Sequence, residues 1–297
     1  MSVAKTKGEK TFDVVNVGIM CVIIFVTLYP FWFIVVGAFS EGLAYVRARG
    51  VFWWPVEATL QNFRVVFREP GMVNAFQVTI MRTAVGTATH LIVAGLFAYA
   101  FSKNYLVGRK LYATIGLITM FFAGGVIPSY LVRDWLGLLD TFTVFWLPAM
   151  INFFNVVIFR AFFATIPDAI PESAYIDGAG EYRVFFSLIL PLSAPVFAAI
   201  ALFVGVWHWN DFMQPLLFTT SRDLETVPLL LMRTIRSAEA ASGMASRAAG
   251  IGIPQHTINP LTIQMATMVV AVAPIIFLYP FLQKHFVKGV LLGSIKG

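Results

Sequence analysis

The sequence predicts an all-α integral membrane protein with six transmembrane helices. Of its 297 residues, 59% are hydrophobic and only 12% are charged, whereas a soluble domain carries about 25% charged residues. The apolar residues also form runs long enough to cross a bilayer core of about 30 Å, which takes roughly 20 residues of helix. Helices are favoured because backbone polar groups in lipid must be paired within each segment.

The apolar runs give the positions of the six spans and the orientation of the chain. The predicted spans are 14–39, 73–101, 111–132, 142–164, 188–218 and 262–286, an even number that places both termini on one side. All eight lysines fall on that side, which the positive-inside rule makes the cytoplasm: Lys5, Lys7, Lys10, Lys103, Lys110, Lys284, Lys288 and Lys296. We therefore expect cytoplasmic tails at 1–13 and 287–297 and a transmembrane domain at 14–286.

Charge and cysteine content exclude several other classes. The net charge of +6 does not indicate nucleic-acid binding, because no basic stripe interleaved with aromatic residues lies outside the apolar runs. Cys21 is the single cysteine, so neither a disulfide framework nor a thiolate metal site can form within this chain. The first run is too long for the core of a signal peptide and lacks a small-residue cleavage site, so we expect a retained helix.

The predicted outer face is also basic, but its positive charges are arginines and not lysines. It carries arginines, including Arg47, Arg64, Arg222 and Arg236, in two longer segments, and long segments weigh little in the charge rule. Within the second of these, 237–252 is rich in alanine, glycine and serine. We expect this part of the last outer loop to be loosely structured.

The connection at 165–187, between the fourth and fifth spans, is polar and patterned as two short helices. Pro171 suits a first helical position, and Glu172 favours the positive end of a helix dipole. Gly178 can supply the positive φ that ends the first helix. The second helix is expected to begin near Glu181 and to run into Pro191.

This connection resembles the conserved cytoplasmic loop of binding-protein-dependent ABC importer permeases. The family pattern is Glu-Ala-Ala, three residues, Gly, and then a distant apolar-Leu-Pro. Here the sequence has Glu172-Ser173-Ala174, then Asp177-Gly178-Ala179, and later Ile189-Leu190-Pro191. Ser173 in place of the first alanine is the one departure, and it exchanges one small residue for another.

Two further stretches resemble the six-helix subunit of maltose-type carbohydrate importers. Trp209-Asn210-Asp211-Phe212 is similar to a Trp-Asn-acidic-Phe element of the fifth span, and YPFLQKHFVKGVLLGSIKG is similar to the family's C-terminus. The resemblance implies the permease fold of type I ABC importers in a bacterial inner membrane. It also implies four kinds of partner: a homologous second permease, two cytoplasmic ATPase subunits, an extracytoplasmic solute-binding protein and a carbohydrate substrate.

By this resemblance the loop is a coupling helix that docks on an ATPase subunit. Small residues would permit close backbone approach, and acidic residues would fix orientation; the residues concerned are Glu172, Ser173, Ala174, Asp177, Gly178 and Ala179. The C-terminal residues Lys296 and Gly297 would reach the ATPase dimer interface. From the sequence alone, a frayed basic tail held by anionic lipid is the alternative for these last residues.

Polar residues inside spans usually face the bundle interior, because they are costly in lipid. Those of the fifth span combine aromatic faces with planar polar groups, the chemistry that a sugar site needs: Trp207, Trp209, Asn210, Asp211 and Gln214. Trp207, Asp211 and Gln214 have i, i+4, i+7 spacing and would share one helix face. An aromatic belt at the membrane interface is the alternative for the tryptophans.

Two other intramembrane hypotheses follow from polar residues elsewhere. Arg82 is expected either to pair with Asp211 or to extend to the outer interface. Asn152 and Asn155 are expected to hydrogen-bond between helices, a common role of membrane asparagines.

Other functional classes fit less well. A self-sufficient secondary transporter or channel usually needs a relay of intramembrane acids, and here Asp211 stands alone. No catalytic motif, clustered metal-ligand set or phosphate-binding loop occurs, so ATP hydrolysis would belong to another chain, and no cofactor is implied. The first outer segment, FWWPVEATLQNFRVVF, resembles the branch that includes importers of oligo-uronides such as alginate, which ranks an acidic oligosaccharide first and a neutral one second.

Overall fold

A computed structural model describes residues 6–48, 50, 52–249 and 259–293. Apart from an isolated β-bridge between Ser40 and Ala58, the regular structure of these residues is helical. The α-helices are α1 (Lys7–Ala38), α2 (Gly42–Ala48), α3 (Gln61–Phe67), α4 (Met72–Ser102), α5 (Arg109–Phe121), α6 (Val126–Trp135), α7 (Phe153–Phe163), α8 (Ala169–Ile176), α9 (Glu181–Val184), α10 (Leu190–Leu192), α11 (Ala194–Asn210), α12 (Met213–Phe218), α13 (Val227–Ala249) and α14 (Pro260–Gly293). A π-helical turn, Phe185–Ile189, joins α9 to α10, and short 3₁₀ turns cover Phe142–Phe145, Leu147–Ala149 and Arg222–Leu224.

Helices long and apolar enough to cross a membrane occur where the hydropathy pattern predicts them. Within the described residues, α1, α4 and the Pro260–Phe277 part of α14 meet this criterion singly. Two bent pairs raise the number to five: Phe142–Ala149 with Phe153–Phe163, bent by 48°, and Glu181–Leu192 with Ala194–Asn210, bent by 82°. These five overlap the predicted spans other than 111–132.

The prediction of one uninterrupted helix over 111–132 is wrong. The segment is divided between α5 and α6, which are separated by residues 122–125. Gly125 has φ +82°, a positive value that the interior of an α-helix does not contain and that glycine adopts at little cost. Helix α5 ends at Phe121, with Phe122 as its C-cap, and Gly125 is the N-cap of α6.

The expectation of loose structure at 237–252 is also wrong for residues 237–249. Helix α13 runs through to Ala249, so 237–249 is helical, and 250–252 lie outside the described residues. Alanine has the highest helix propensity of all residues, and the alanines here outweigh the scattered glycine and serines.

One of two compact units comprises Met1–Pro70 and Leu231–Ala273. Its polar centre is the buried side chain of Asn62. The amide nitrogen donates to the carbonyls of Ala38 at 2.9 Å and Ser40 at 2.8 Å, and the amide oxygen accepts from the hydroxyl of Thr262 at 3.1 Å. Asn62 thus satisfies backbone groups that the end of α1 leaves unpaired.

The other unit comprises Gly71–Leu230 and Pro274–Gly297. Helix α4 packs against α7 and α11 around a buried cluster rich in phenylalanine, which includes Phe159 and Phe185. Glycines on α4 permit close approach: a β-carbon at Gly95 would lie 2.9 Å from the ring of Phe197 on α11. Small residues at helix contacts are the usual means of tight packing in membranes.

Candidate functional site

The connection at 165–187 folds as two helices joined at Gly178, as predicted. Helix α8 begins at Ala169, so Pro171 is its third residue and not its first. Gly178 has φ +79° and ends this helix with the left-handed conformation expected of it. The following helix begins at Glu181, also as predicted.

The residues predicted to contact an ATPase divide by exposure. Glu172, Ser173 and Asp177 are exposed, as is Gly178, whereas Ala174 and Ala179 are partly buried. Both alanines pack against the apolar core of this unit. The exposed polar residues are therefore available to a partner, while the two alanines anchor the connection to the helices beneath it.

Two large apolar side chains on the same connection face outward. Ile176 is 85% exposed and Tyr182 is 75% exposed. Single exposed apolar residues are common on protein surfaces. Here two of them flank Gly178, so the exposed surface combines apolar and acidic groups.

A carboxylate at the start of α9 holds together two parts of the chain that are distant in sequence, the region of α8 and α9 and the end of α4 with the turn after it. Oε2 of Glu181 accepts hydrogen bonds from the hydroxyls of Tyr99 and Tyr175, each at 2.7 Å, and Oε1 accepts one from the hydroxyl of Tyr105. The ammonium of Lys103 donates to the Tyr175 hydroxyl at 3.1 Å and lies 4.5 Å from the centre of the Tyr99 ring. We call these five residues the Glu181 cluster.

The Glu181 cluster was not predicted from the sequence. Its members come from the end of α4 and the turn after it and from α8 and α9, and no local spacing relates the first part of the chain to the second. Partial burial and the hydrogen bond to Glu181 raise the pKa of Tyr105, so its phenol keeps the proton that it donates. The carboxylate is surrounded by donors and by one cation, the arrangement that favours its charged form.

Arg82 and Asp211 form an ion pair, as the sequence suggested. The Arg82 side chain is fully buried; it contacts the Asp211 carboxylate and donates to the Asp211 carbonyl at 2.8 Å and to Oε1 of Gln214 at 3.0 Å. Its guanidinium also lies 4.9 Å from the centre of the Phe145 ring. A buried arginine needs such compensation, because an unpaired charge in a low-dielectric interior is very costly.

The predicted continuous helix face through residues 207–214 is wrong. Helix α11 ends at Asn210, and Asp211 is extended, with ψ 113°. Its Oδ1 accepts hydrogen bonds from the backbone N–H groups of Met213 at 3.0 Å and Gln214 at 3.3 Å, so the carboxyl starts α12. The competing effect is the strong tendency of aspartate to cap a helix N-terminus.

Trp207 and Gln214 nevertheless line one polar cavity of about 370 Å³. Trp207 is 47% exposed, and the remaining wall comes from α4, α7, α11 and the turn before α7. The volume falls within the range of roughly 300 to 1,000 Å³ typical of small-molecule sites. The other lining residues are His90, Pro148, Ala149, Ile151, Asn152, Asn155, Phe203, Val204 and His208.

Hydrogen bonds fix the orientation of two amides in this cavity. Nδ1 of His90 lies 2.8 Å from the Ala149 carbonyl and must donate to it, so Nε2 is an acceptor and receives the amide N–H of Asn155 at 2.9 Å. The Asn155 oxygen is then left as an acceptor. Gln214 has the opposite arrangement: Arg82 occupies its oxygen, which leaves its NH₂ as a donor.

The asparagine prediction is therefore confirmed for Asn155, whose contact joins α7 to α4. Asn152 instead starts α7, with its side-chain oxygen accepting from the N–H of Phe154 at 3.0 Å.

The other predicted path residues are placed differently. Trp209 is buried and lines a separate, mostly apolar cavity of about 420 Å³ between α4 and α11. Asn210 is exposed, and the Asp211 carboxyl is engaged with Arg82. Lys296 and Gly297 lie outside the described residues. Within the described ranges, no group of three or more His, Cys, Asp or Glu side chains could hold a metal ion.

Repeated apolar spans, a polar cavity between them and an exposed two-helix connection define an integral membrane transport protein. The model of the family described as binding-protein-dependent transport system inner membrane component matches residues 4–292, and the chain belongs to this family. The resemblance drawn from its motifs is thereby confirmed.

Individual relatives agree with this assignment. Protein LplC of Bacillus subtilis (strain 168) is 39% identical over 293 residues, which cover 98% of this chain and 97% of that protein. The polygalacturonan/rhamnogalacturonan transport system permease protein YtcP of the same organism is 34% identical over 290 residues, covering 97% and 99%. A solved bacterial ABC transporter involved in the import of the acidic polysaccharide alginate matches with a TM-score of 0.84 and 26% identity, covering 96% of this chain and 100% of that one.

Proposed function

We propose that this chain is one of two transmembrane subunits of an ATP-driven importer that moves an acidic oligosaccharide from a binding protein into the cytoplasm. Two similar proteins support the substrate class: YtcP is named for polygalacturonan/rhamnogalacturonan transport, and the alginate transporter imports an acidic polysaccharide. The family is described as binding-protein-dependent, which supports delivery by an extracytoplasmic protein.

The observation that carries the proposal is the exposed surface of the connection at 165–187, which contains α8 and α9. Its acidic and small residues, Glu172, Ser173, Asp177 and Gly178, face outward beside Ile176 and Tyr182. An apolar and acidic surface on two short helices suits docking on a folded partner domain, because it offers both contact area and orienting charge. The partner would be one of two cytoplasmic ATPase subunits, and Lys296 and Gly297 would contact the same subunits.

The remaining assembly follows from this orientation. Residues 1–13 and 287–297 would be cytoplasmic tails, residues 14–286 the membrane domain, and a homologous second permease would complete the pathway. The lysines on the side of the termini support this topology.

We place the substrate path along the cavity that contains Trp207 and Gln214. An indole face beside amide donors and acceptors matches a sugar ring, whose hydroxyls donate and accept at once. Asn155 joins this set through its oriented oxygen. In the same proposal Asp211 holds Arg82 in place, and Trp209 and Asn210 lie next to the path.

The test is ATPase activity of the complex co-purified with this chain in lipid, with and without sugar-loaded binding protein. Gly178→Val places a β-branched residue at φ +79° and distorts the docking surface. We expect binding protein to stimulate the native complex and the stimulation to fall at least about tenfold in the variant, a loss of about 1.4 kcal/mol of coupling.

The matched control is Gly137→Val. Gly137 also has positive φ, +65°, and, like Gly178, has open space where a β-carbon would point, but it follows α6 and not α8. It should keep full stimulation. If no ATPase accompanied the native chain and the chain alone moved solute across vesicles, the proposal would be replaced by a secondary transporter.

A further inference from the structure

We infer that Glu181 is a positioning residue that fastens the connection at 165–187, which contains α8 and α9, to the end of α4. The connection and α4 would then move as one body during transport. The inference rests on the proposed function, because it concerns how the motion of an ATPase would reach the sugar cavity.

The number of contacts at Glu181 supports a rigid link. Its two oxygens receive three phenol hydroxyls, two of them at 2.7 Å, and the Tyr99 and Tyr175 hydroxyls lie 3.0 Å apart. Hydrogen bonds to a charged acceptor are shorter and stronger than neutral ones. Breaking the link would require several such bonds to open together, which is unfavourable in a connected network.

The residues on both sides of the link are held in place by their own contacts. Tyr175 belongs to α8, the helix that carries the exposed docking residues, and Tyr99 belongs to the last turn of α4. Tyr99 is only 6% exposed and is held by the rings of Phe163 and Phe185. Lys103 lies over the rings of Tyr99 and Tyr175 and so joins the same two segments a second time.

Helix α4 extends from the link to the cavity without interruption. It runs from Met72 to Ser102 with no internal proline. At a rise of 1.5 Å per residue, His90 is roughly 13 Å from Tyr99 along the axis and Arg82 about 25 Å. His90 orients Asn155 in the cavity, and Arg82 holds Asp211 and Gln214. Displacement of α8 would therefore carry the groups that shape the cavity.

The experiment compares Glu181→Gln and Tyr99→Phe in the intact complex with native protein. Each keeps the shape of the side chain and removes a charge or a donor. We expect ATPase subunits to co-purify at native stoichiometry and basal ATPase to persist, while sugar uptake per ATP hydrolysed in proteoliposomes falls at least about fivefold. The double variant should be no worse than the worse single one, because both changes break the same link.

Tyr112→Phe is the matched control, since Tyr112 lies on α5, is 43% exposed and is not one of the three tyrosines that donate to Glu181; it should leave sugar uptake per ATP hydrolysed unchanged. A second measurement places spin labels at Val107 and Arg183 in a Cys21→Ser background. Their separation should be the same in every nucleotide state of the native complex and should vary in Glu181→Gln.

Native transport per ATP in both variants would overturn the inference, and so would a label separation that changes with nucleotide in the native complex. Loss of the ATPase from Glu181→Gln would also overturn it, by showing that this residue acts in docking. Failure of the native complex to respond to binding protein is a different result, which contradicts the proposed function itself.

Discussion

The imidazole of His208 on α11 lies directly against Gly86 on α4. A β-carbon at position 86 would be 2.4 Å from Nε2 of His208, and His208 is fully buried. Since neither ring nitrogen has a hydrogen-bond partner among the described residues, packing and not hydrogen bonding holds the ring. The two helices therefore approach closely because residue 86 has no side chain.

Gly86→Ala should destabilise the protein. The added methyl group forces the buried imidazole or one of the two helices to move, and overpacking of this kind costs about 1–3 kcal/mol. The midpoint of detergent-induced unfolding measures the loss. Gly205→Ala is the matched control, because its β-carbon would meet Thr87 at an ordinary 3.5 Å. Equal midpoints for the two variants would contradict the packing account.

Asp211→Asn should be strongly destabilising, since it leaves the buried guanidinium of Arg82 without its carboxylate. Removing one partner of a buried ion pair costs about 3–5 kcal/mol of stability. We expect a loss of that size here. Arg82→Met combined with Asp211→Asn should cost less than the sum of the two single changes. A double variant whose unfolding free energy is simply additive would show that the pair is not energetically coupled.

Trp207→Leu should weaken transport by removing the aromatic wall of the polar cavity. An aromatic contact worth about 1 kcal/mol corresponds to roughly a fivefold rise in the apparent KM for sugar uptake. Trp135→Leu supplies the control, because Trp135 is 86% exposed and does not line that cavity. Unchanged uptake kinetics in Trp207→Leu would exclude the indole from the path.

Asp140 makes the stability of the fold depend on pH. The backbone N–H groups of Ser221 at 2.8 Å and Thr220 at 2.9 Å donate to its Oδ1 and hold the pKa of this carboxyl below its usual value. The stabilisation is present above the unfolded-state pKa of about 3.9 and is lost as the pH falls through the lower folded-state pKa.

Asp140→Asn should therefore lower the unfolding midpoint by a constant amount near neutral pH, and the difference from native protein should shrink below about pH 4. Asparagine tolerates the left-handed backbone at this position, where φ is +54°, so the change isolates the charge. A difference that stays constant down to pH 3 would assign the effect to shape.

The features that were predictable from the sequence depend on local chemistry. Apolar run length located five of the candidate spans, and Gly178 with Glu181 located the two helices of the connection. Gly124 and Gly125 carried an equally local signal for the break between α5 and α6, but the apolar composition around them concealed it.

The features that were missed depend on contacts distant in sequence or on competition between local effects. Glu181 and Tyr99 are 82 residues apart, and no pattern in either segment refers to the other. At Asp211 the apolar periodicity predicts that the helix continues, whereas the tendency of aspartate to cap a helix predicts a new start. The new start is observed, and Arg82 holds the carboxylate in place. Such a conflict is decided by a side chain on another helix.

The hydrogen bond between Asn62 and Thr262 has a consequence for biosynthesis. The two residues are 200 positions apart, so at roughly 5–20 residues per second a ribosome makes Thr262 about 10 to 40 s after Asn62. Until then the amide oxygen of Asn62 lacks this donor. The end of α1, whose Ala38 carbonyl Asn62 contacts, is therefore incompletely packed until α14 is made. Nascent chains arrested before α14 should accordingly be the ones that membrane quality-control proteases remove.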